Sequence, residues 1–232
     1  MLRYLLLVVV SLVPLSGVRK TLYRALFGFK IAKTAKIGMF NLLDIRQLTM
    51  KEHAEIRGFG NVFMSMYRVE MDEYARIGAP RVGLNLFRGT ANKGHVAPAG
   101  LKMGKCALIE LMHYFDTCGD IILGDNAIIG GIKCVFFTHA LYKDEYDPIE
   151  IGENVYVGSN CLFQMGVKVP ANAVVGMGSV LVKPIEQEGA LIAGVPARVV
   201  RENAGFSMKQ AMQLRRKPFA ENGKVIVPEK VL

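Results

Sequence analysis

The sequence predicts an all-β fold: a parallel coil of six-residue units, with an apolar, basic helical segment ahead of it and a short helix and tail behind. Three observations predict it. Apolar residues recur every six positions over much of the chain, glycine is abundant while tryptophan is absent, and no acid precedes Asp44.

The period is clearest from Ile151. The chain there divides into IGENVY, VGSNCL, FQMGVK, VPANAV, VGMGSV and LVK, with Ile151, Val157, Phe163, Val169, Val175 and Leu181 in first position. The fifth positions, Val155, Cys161, Val167, Ala173 and Ser179, are small or medium. Upstream, LGDNAI, IGGIKC and VFFTHA keep the same spacing, as do IAKTAK and IGMFNL from Ile31. A period of six fits neither an amphipathic helix nor a heptad. It suits a short strand plus a corner, and three such units close a triangular coil of about 18 residues whose first positions stack into one core. Glycine and asparagine at second and fourth positions serve the turns, where positive φ is tolerated. Residues 51–105 carry the period weakly and resist assignment to rungs.

The segment before the coil combines an uncharged run, YLLLVVVSLVPLSGV from Tyr4 to Val18, with seven bases before residue 37. The run is shorter than the roughly 20 residues of a spanning helix, and Pro14 interrupts it. A signal peptide lacks its A-x-A site, and an ordinary core helix is the remaining alternative. Bases beside an apolar run favour a membrane surface over nucleic acid, with Arg19, Lys20 and Arg24 facing headgroups and Leu22, Leu26 and Phe29 facing lipid. Residues 1–30 are therefore expected to be a membrane-associating helical segment, residues 31–200 the β-coil domain, and residues 201–232 a helix over SMKQAMQLRRK with a tail. Removing residues 1–20 is expected to leave the coil folded. The expected location is cytoplasmic, peripheral at the inner face of the membrane.

Composition excludes several classes. With 51% hydrophobic and 21% charged residues, the 232-residue chain is not disordered. Its four cysteines, at 106, 118, 134 and 161, contain no CxxC pair, which argues against both a disulfide scaffold and a structural zinc site. Neither GxGxxG nor GxxxxGK[ST] occurs, so a nucleotide-binding α/β fold is unsupported.

One histidine stands out. His139 stands in the fifth position of the rung VFFTHA, where other rungs usually carry a small residue, and the period then slips by four residues through ALYKDEYDPIE before resuming at Ile151. An imidazole at the base of a loop on a rigid coil is well placed to take and return a proton near neutral pH. The alternative is a structural histidine capping a corner. His113, in ELMHYFDTCGD, is either a second active-site group or a partly buried histidine bonded to backbone. His53 and His95 read as surface or structural.

The block IGENVYVGSN, the stretch VVGMGSVLVK and the closing GVPARVV resemble the hexapeptide-repeat acyltransferases, whose fold is a left-handed parallel β-helix. The similarity runs from about Ile109 to Arg201. It is nearest to the maltose, galactoside and xenobiotic O-acetyltransferase branch and to polysaccharide O-acetyltransferases. The resemblance implies acetyl-CoA as co-substrate and a saccharide hydroxyl as acceptor, on a surface-polysaccharide or lipid-linked precursor. It implies a homotrimer with sites between subunits. Thr138-His139 matches the family's T-H element, which makes His139 the general base. The family's active-site amide has no counterpart here, leaving Glu110, His113 and Asp116 as polar choices: His113 to act with His139, Glu110 and Asp116 to meet substrate. Positional match places Ser159 and Met177 along the pantetheine arm, and Lys183, Arg198 and Arg201 at the phosphates. The γ-class carbonic anhydrases share the fold, but their zinc needs a third histidine that the later coils lack, so no metal is expected. An amino-sugar N-acyltransferase and a non-catalytic β-helix scaffold or binding subunit are the alternatives.

Overall fold

The computed structural model describes residues 2–90, 98–140 and 145–203. His95 and the expected C-terminal helix and tail lie outside the described residues. The chain begins with two helices, α1 (Leu2–Leu12) and α2 (Ser16–Phe27), and then winds as a parallel β-helix from Lys30 onward. Three faces follow one another in each coil. Strands such as Ile121–Leu123 and Ile149–Ile151 form the first face, and Ile128–Ile132 and Tyr156–Val157 the second. Tyr114–Asp116, Val135–Phe137 and Leu162–Phe163 lie on the third. Pairing is parallel at the expected spacing of eighteen where coils are undisturbed, as in Ile151↔Val169 and Phe163↔Leu181.

The predicted first positions from Ile151 to Leu181 all point inward and are at most 2% exposed. Fourth positions turn the corners with positive φ: Asn126, Asn154, Asn160 and Asn172 lie between 55° and 61°, and Gly178 at 74°. The second-position glycines serve a different need from the expected one. Gly158 has no positive φ, but a Cβ there would sit 2.9 Å from the Met177 backbone nitrogen, so coil-to-coil stacking requires its absence.

Two expectations about the repeat need correction. In VFFTHA the inward residue is Phe136, not Val135, and the small corner residue is Cys134 rather than Lys133. The cause is a register shift in Ile128–Ile132, where Gly130–Gly131 adds a residue to the strand. The loop after His139 is also longer than four residues: Leu123 pairs with Ile151, twenty-eight positions on. Within it, His139–Ala140 and Glu145–Tyr146 form an antiparallel pair.

Residues 51–105 do form rungs. Their period is masked because Leu42–Met50 and Val62–Met71 run from the third face to the first without breaking, with Ile45 and Met66 filling the interior of the bend. The coil there repeats at uneven spacings of 19 to 32 residues, as in Ile37↔Ile56, Met50↔Met71, Val62↔Leu86 and Met71↔Met103, so a search at six loses phase.

Two ladders run along the inside of the third face. Phe63, Phe87, Phe115, Phe136 and Phe163 stack with ring centroids 4.4–4.8 Å apart, each pair contributing about 0.5–1.5 kcal/mol beyond its area. At the preceding corner, Asn41, Asn61, Asn85, His113, Cys134, Cys161 and Ser179 each stand one residue ahead of a third-face strand, and all are buried. Asn61 Nδ2 donates to Asn41 Oδ1 at 2.8 Å, and Asn85 Nδ2 to Asn61 Oδ1 at 2.9 Å. Buried amides are tolerated because each finds a partner on the next coil.

The N-terminal segment is part of this core. Leu7, Val10, Tyr23 and Phe29 are buried in the same apolar cluster as the first coils, so α1 and α2 cap the open end of the β-helix, as terminal repeats must. Arg19 is 3% exposed and donates to the carbonyls of Val13 and Ile37. Lys20 bonds the Lys33 and Ala35 carbonyls, and Arg24 the Ile31 carbonyl. These three bases clasp the chain's own backbone instead of facing headgroups. Removing residues 1–20 would uncover the core at Leu7 and Val10 and delete the Arg19 clasp. A second stripe of α1, Leu2, Leu5, Val9 and Leu12, is 71%, 59%, 53% and 48% exposed. Among the described residues, no helix is long and apolar enough to cross a membrane.

Candidate active site

The site forms where the third face ends and the irregular loop begins. Asp116 closes the strand Tyr114–Asp116 and pairs with Phe137 of the next coil, so His139, two residues further on, rises directly beside it. By strand alternation Asp116 points outward from the coil, yet its side chain is 2% exposed, with His139 and the Cys118 backbone against it. His139 is 19% exposed, and its Nδ1 contacts Asp116 Oδ2. A carboxylate only accepts, so Nδ1 carries the proton and Nε2 the lone pair.

The turn is held by further bonds. Asp116 Oδ1 accepts from the Cys118 backbone N–H at 3.2 Å. The Thr138 hydroxyl donates to the Asp116 carbonyl at 2.8 Å and accepts from the Gly119 N–H at 2.7 Å. Gly119 is closely packed, since a Cβ there would lie 3.1 Å from both Thr138 Cβ and the Asp147 carbonyl oxygen. Tyr146, the strand partner of His139, lays its ring near-parallel to the imidazole at 6.2 Å. The carboxylate is thus fixed on a rigid strand, and the imidazole is fixed on the carboxylate.

The structure separates the other candidate residues. His113 is not brought to His139. It is 2% exposed within the interior corner ladder, where its Nδ1 accepts the Cys134 N–H at 3.0 Å and its backbone N–H donates to Asn85 Oδ1 at 2.9 Å. Burial pushes its pKa down to about 4, only partly offset by the Ile129 backbone, so the ring is neutral. The expectation of a second active-site histidine is corrected accordingly: the ring occupies an amide's place in the ladder and has no path to solvent chemistry. Asp116 is likewise too buried to meet a substrate; it faces His139 instead. Glu110 Oε2 accepts the Gly131 N–H at 3.0 Å, and Ser159 Oγ the Ile132 N–H at 3.2 Å, so these two side chains brace the Gly130–Gly131 irregularity.

Met177, 73% exposed, shares with Ser159 the corner between second and third faces. Lys183 follows Val180–Leu181, beyond the third face as His139 is. Arg198 and Arg201 lie exposed on Ala197–Arg201, which folds back antiparallel on Leu191–Gly194. Asp116, a substrate-contact candidate from the sequence, is turned to His139 instead. The signal available was the parity of Asp116 with outward residues of the third face, which the register slip at Gly130–Gly131 obscured. Asp116, Cys118 and His139 also place one donor atom each within 4.8 Å of one another.

Comparison with known proteins agrees with this architecture. Residues 148–183 match the family model described as "Hexapeptide repeat of succinyl-transferase". The chain is 38% identical over 90 residues to the galactoside O-acetyltransferase of Escherichia coli (strain K12), a match covering 35% of this chain and 44% of that protein. It is 32% identical over 125 residues to YvoF of Bacillus subtilis (strain 168), named as an acetyltransferase, covering 52% of this chain and 68% of that one. The crystallographically analysed polysialic acid O-acetyltransferase OatWY shares the fold, with a TM-score of 0.51 at 20% identity over 75% of this chain and 84% of that chain. The chain belongs to the hexapeptide-repeat acetyltransferases, enzymes built on a left-handed parallel β-helix. It spans less than half the length of the galactoside enzyme that it matches.

Proposed function

We propose that the protein is an O-acetyltransferase that moves an acetyl group from acetyl-CoA to a saccharide hydroxyl, with His139 as general base. The observation that carries this reading is the His139–Asp116 pair: a partly exposed imidazole whose Nδ1 is engaged by a buried carboxylate, leaving the Nε2 lone pair for chemistry. Nε2 removes the acceptor hydroxyl proton as the oxygen attacks the thioester carbonyl. The tetrahedral intermediate then collapses, the carbon–sulfur bond breaks, and the imidazolium returns the proton to the departing thiolate. Asp116 stabilises the transient imidazolium and holds the productive tautomer. General-base catalysis of this kind accounts for about 10²–10⁴ in rate. The similarity to galactoside and polysialic acid O-acetyltransferases supports a hydroxyl-bearing saccharide as acceptor.

The functional unit is a homotrimer with the site between subunits. Two features support it. The outward row of the third face, Val62, Leu86, Tyr114, Val135, Leu162 and Val180, is apolar throughout. Ser159 and Met177 stand at a different corner from His139, so a neighbouring copy must supply the pantetheine contacts, with Lys183, Arg198 and Arg201 as cations for the phosphates. The acceptor is met at an anionic membrane surface. The exposed α1 stripe, Leu2, Leu5, Val9 and Leu12, supplies the apolar contact, and the exposed Lys30, Lys33 and Lys36 the attraction.

The test is a panel of acceptor saccharides incubated with acetyl-CoA and the full chain, reading free thiol and product. A saccharide-dependent thiol release with a hydroxylamine-labile ester is expected. A hydroxylamine-stable amide overturns O-transfer in favour of an amino-sugar acceptor, and no release with any acceptor overturns the enzymatic reading.

A further inference from the structure

Asp116, Cys118 and His139 bring a carboxylate, a thiol and an imidazole to one point, each offering a donor atom within 4.8 Å of the others. Only two of them are used by the proton relay proposed above. Cys118 contributes its backbone N–H to Asp116 Oδ1, but its side chain has no part in that relay. The three lie on one tight turn and the strand beside it, so the cluster is fixed by the β-helix. His139, 19% exposed, gives the otherwise buried group an opening.

We propose that this cluster is an inhibitory site for a thiophilic divalent cation, zinc being the natural candidate. The inference rests on the general-base reading for its consequence, though not for the binding itself. A tetrahedral zinc with one sulfur, one nitrogen and one oxygen ligand places its donor atoms about 3.3–3.6 Å apart, so the three side chains need only small adjustments. The Nδ1–Oδ2 contact must widen to admit the ion between them. Thiolate with imidazole selects zinc or cadmium over magnesium or calcium. Binding expels the thiol proton, and the thiolate and carboxylate together balance the charge of the ion; water takes the fourth position.

The effect on catalysis follows from the chemistry of imidazole. If the metal takes Nδ1, the ring keeps its one proton on Nε2; if it takes Nε2, that lone pair is consumed. Either way no nitrogen remains to accept the acceptor's proton. The ion therefore switches the enzyme off without moving the backbone.

Cadmium is the probe for binding, titrated into the full chain while the thiolate-to-cadmium charge-transfer absorption is read. One cadmium per chain with a charge-transfer band is expected, and the band is lost in Cys118→Ser. Zinc should inhibit thiol release by the unmodified chain, reversibly on adding EDTA. Cys118→Ser should keep its basal turnover while the zinc concentration for half-inhibition rises at least tenfold. A band of equal strength in Cys118→Ser, or equal zinc sensitivity in both proteins, overturns the proposal. Should the chain transfer acetyl to no acceptor, the cadmium band still decides the site independently of the proposed activity.

Discussion

Two histidines stand at two corners of the same β-helix, and their surroundings make them different chemical objects. His113 precedes a third-face strand and points into the coil, where backbone and amide groups surround it and burial keeps it neutral. His139 follows a third-face strand and rises outside the coil beside a buried carboxylate. On a β-helix a one-residue change of phase exchanges inside for outside. That phase, more than residue type, decides which histidine can do chemistry.

The largest expected effect tests the partner of His139. Asp116→Asn keeps the shape but offers an amide to Nδ1, which permits the unproductive tautomer. Turnover should fall by about 10²–10⁴, the range for losing a general base, with the melting curve little changed. Near-normal turnover would remove Asp116 from the mechanism.

Next is His113→Ala, which deletes a buried ring and leaves the Cys134 N–H without its acceptor. A stability loss of about 2–4 kcal/mol is expected by chemical denaturation, with turnover retained where the protein remains folded. His113→Asn, which extends the asparagine ladder, should lose less. If His113→Asn abolishes transfer while folding normally, the contrast between the two corners fails.

The same histidine predicts a pH signature of similar or smaller size. Its folded pKa of about 4 lies below the unfolded value of about 6.5, so protons favour the unfolded chain. Its contribution is therefore fully present above pH ~6.5 and is lost as pH falls toward 4, by up to about 3 kcal/mol. Denaturation curves across that window should show the slope in the native protein and a reduced slope in His113→Asn.

The smallest effect is that of Leu5→Ser on the outer stripe of α1, a helix whose two stripes repeat the inside–outside contrast. Leu7→Ala on the inner stripe should cost about 2–5 kcal/mol, whereas Leu5→Ser on the outer stripe should change stability by no more than about 0.5 kcal/mol. Leu5→Ser should nonetheless reduce flotation with anionic liposomes. Unchanged flotation would detach the outer stripe from membrane contact.

The regular coils were legible because a six-residue spacing of Ile, Val and Phe from Ile151 to Leu181 has one simple geometric solution. Coils 51–105 were not, since the strands Leu42–Met50 and Val62–Met71 pass through a corner and stretch the repeat beyond 18. At the site, His139 stood out beside a break in period. The extra residue at Gly130–Gly131 hid which of Val135 and Phe136 faced inward, and with it the alignment of Asp116 beneath His139. Arg19 was misread for a related reason: a base on an amphipathic pattern looks solvated until the carbonyls of Val13 and Ile37 are seen to enclose it.

The measurement that bears most directly on the central claim is coenzyme A thiol release with one saccharide acceptor, compared between His139→Ala and His113→Asn in the full chain. Loss of about 10²–10⁴ in turnover for His139→Ala, with His113→Asn close to the unsubstituted protein, is the predicted result. Near-full transfer by His139→Ala, or a loss in His113→Asn as deep as in His139→Ala, would contradict it.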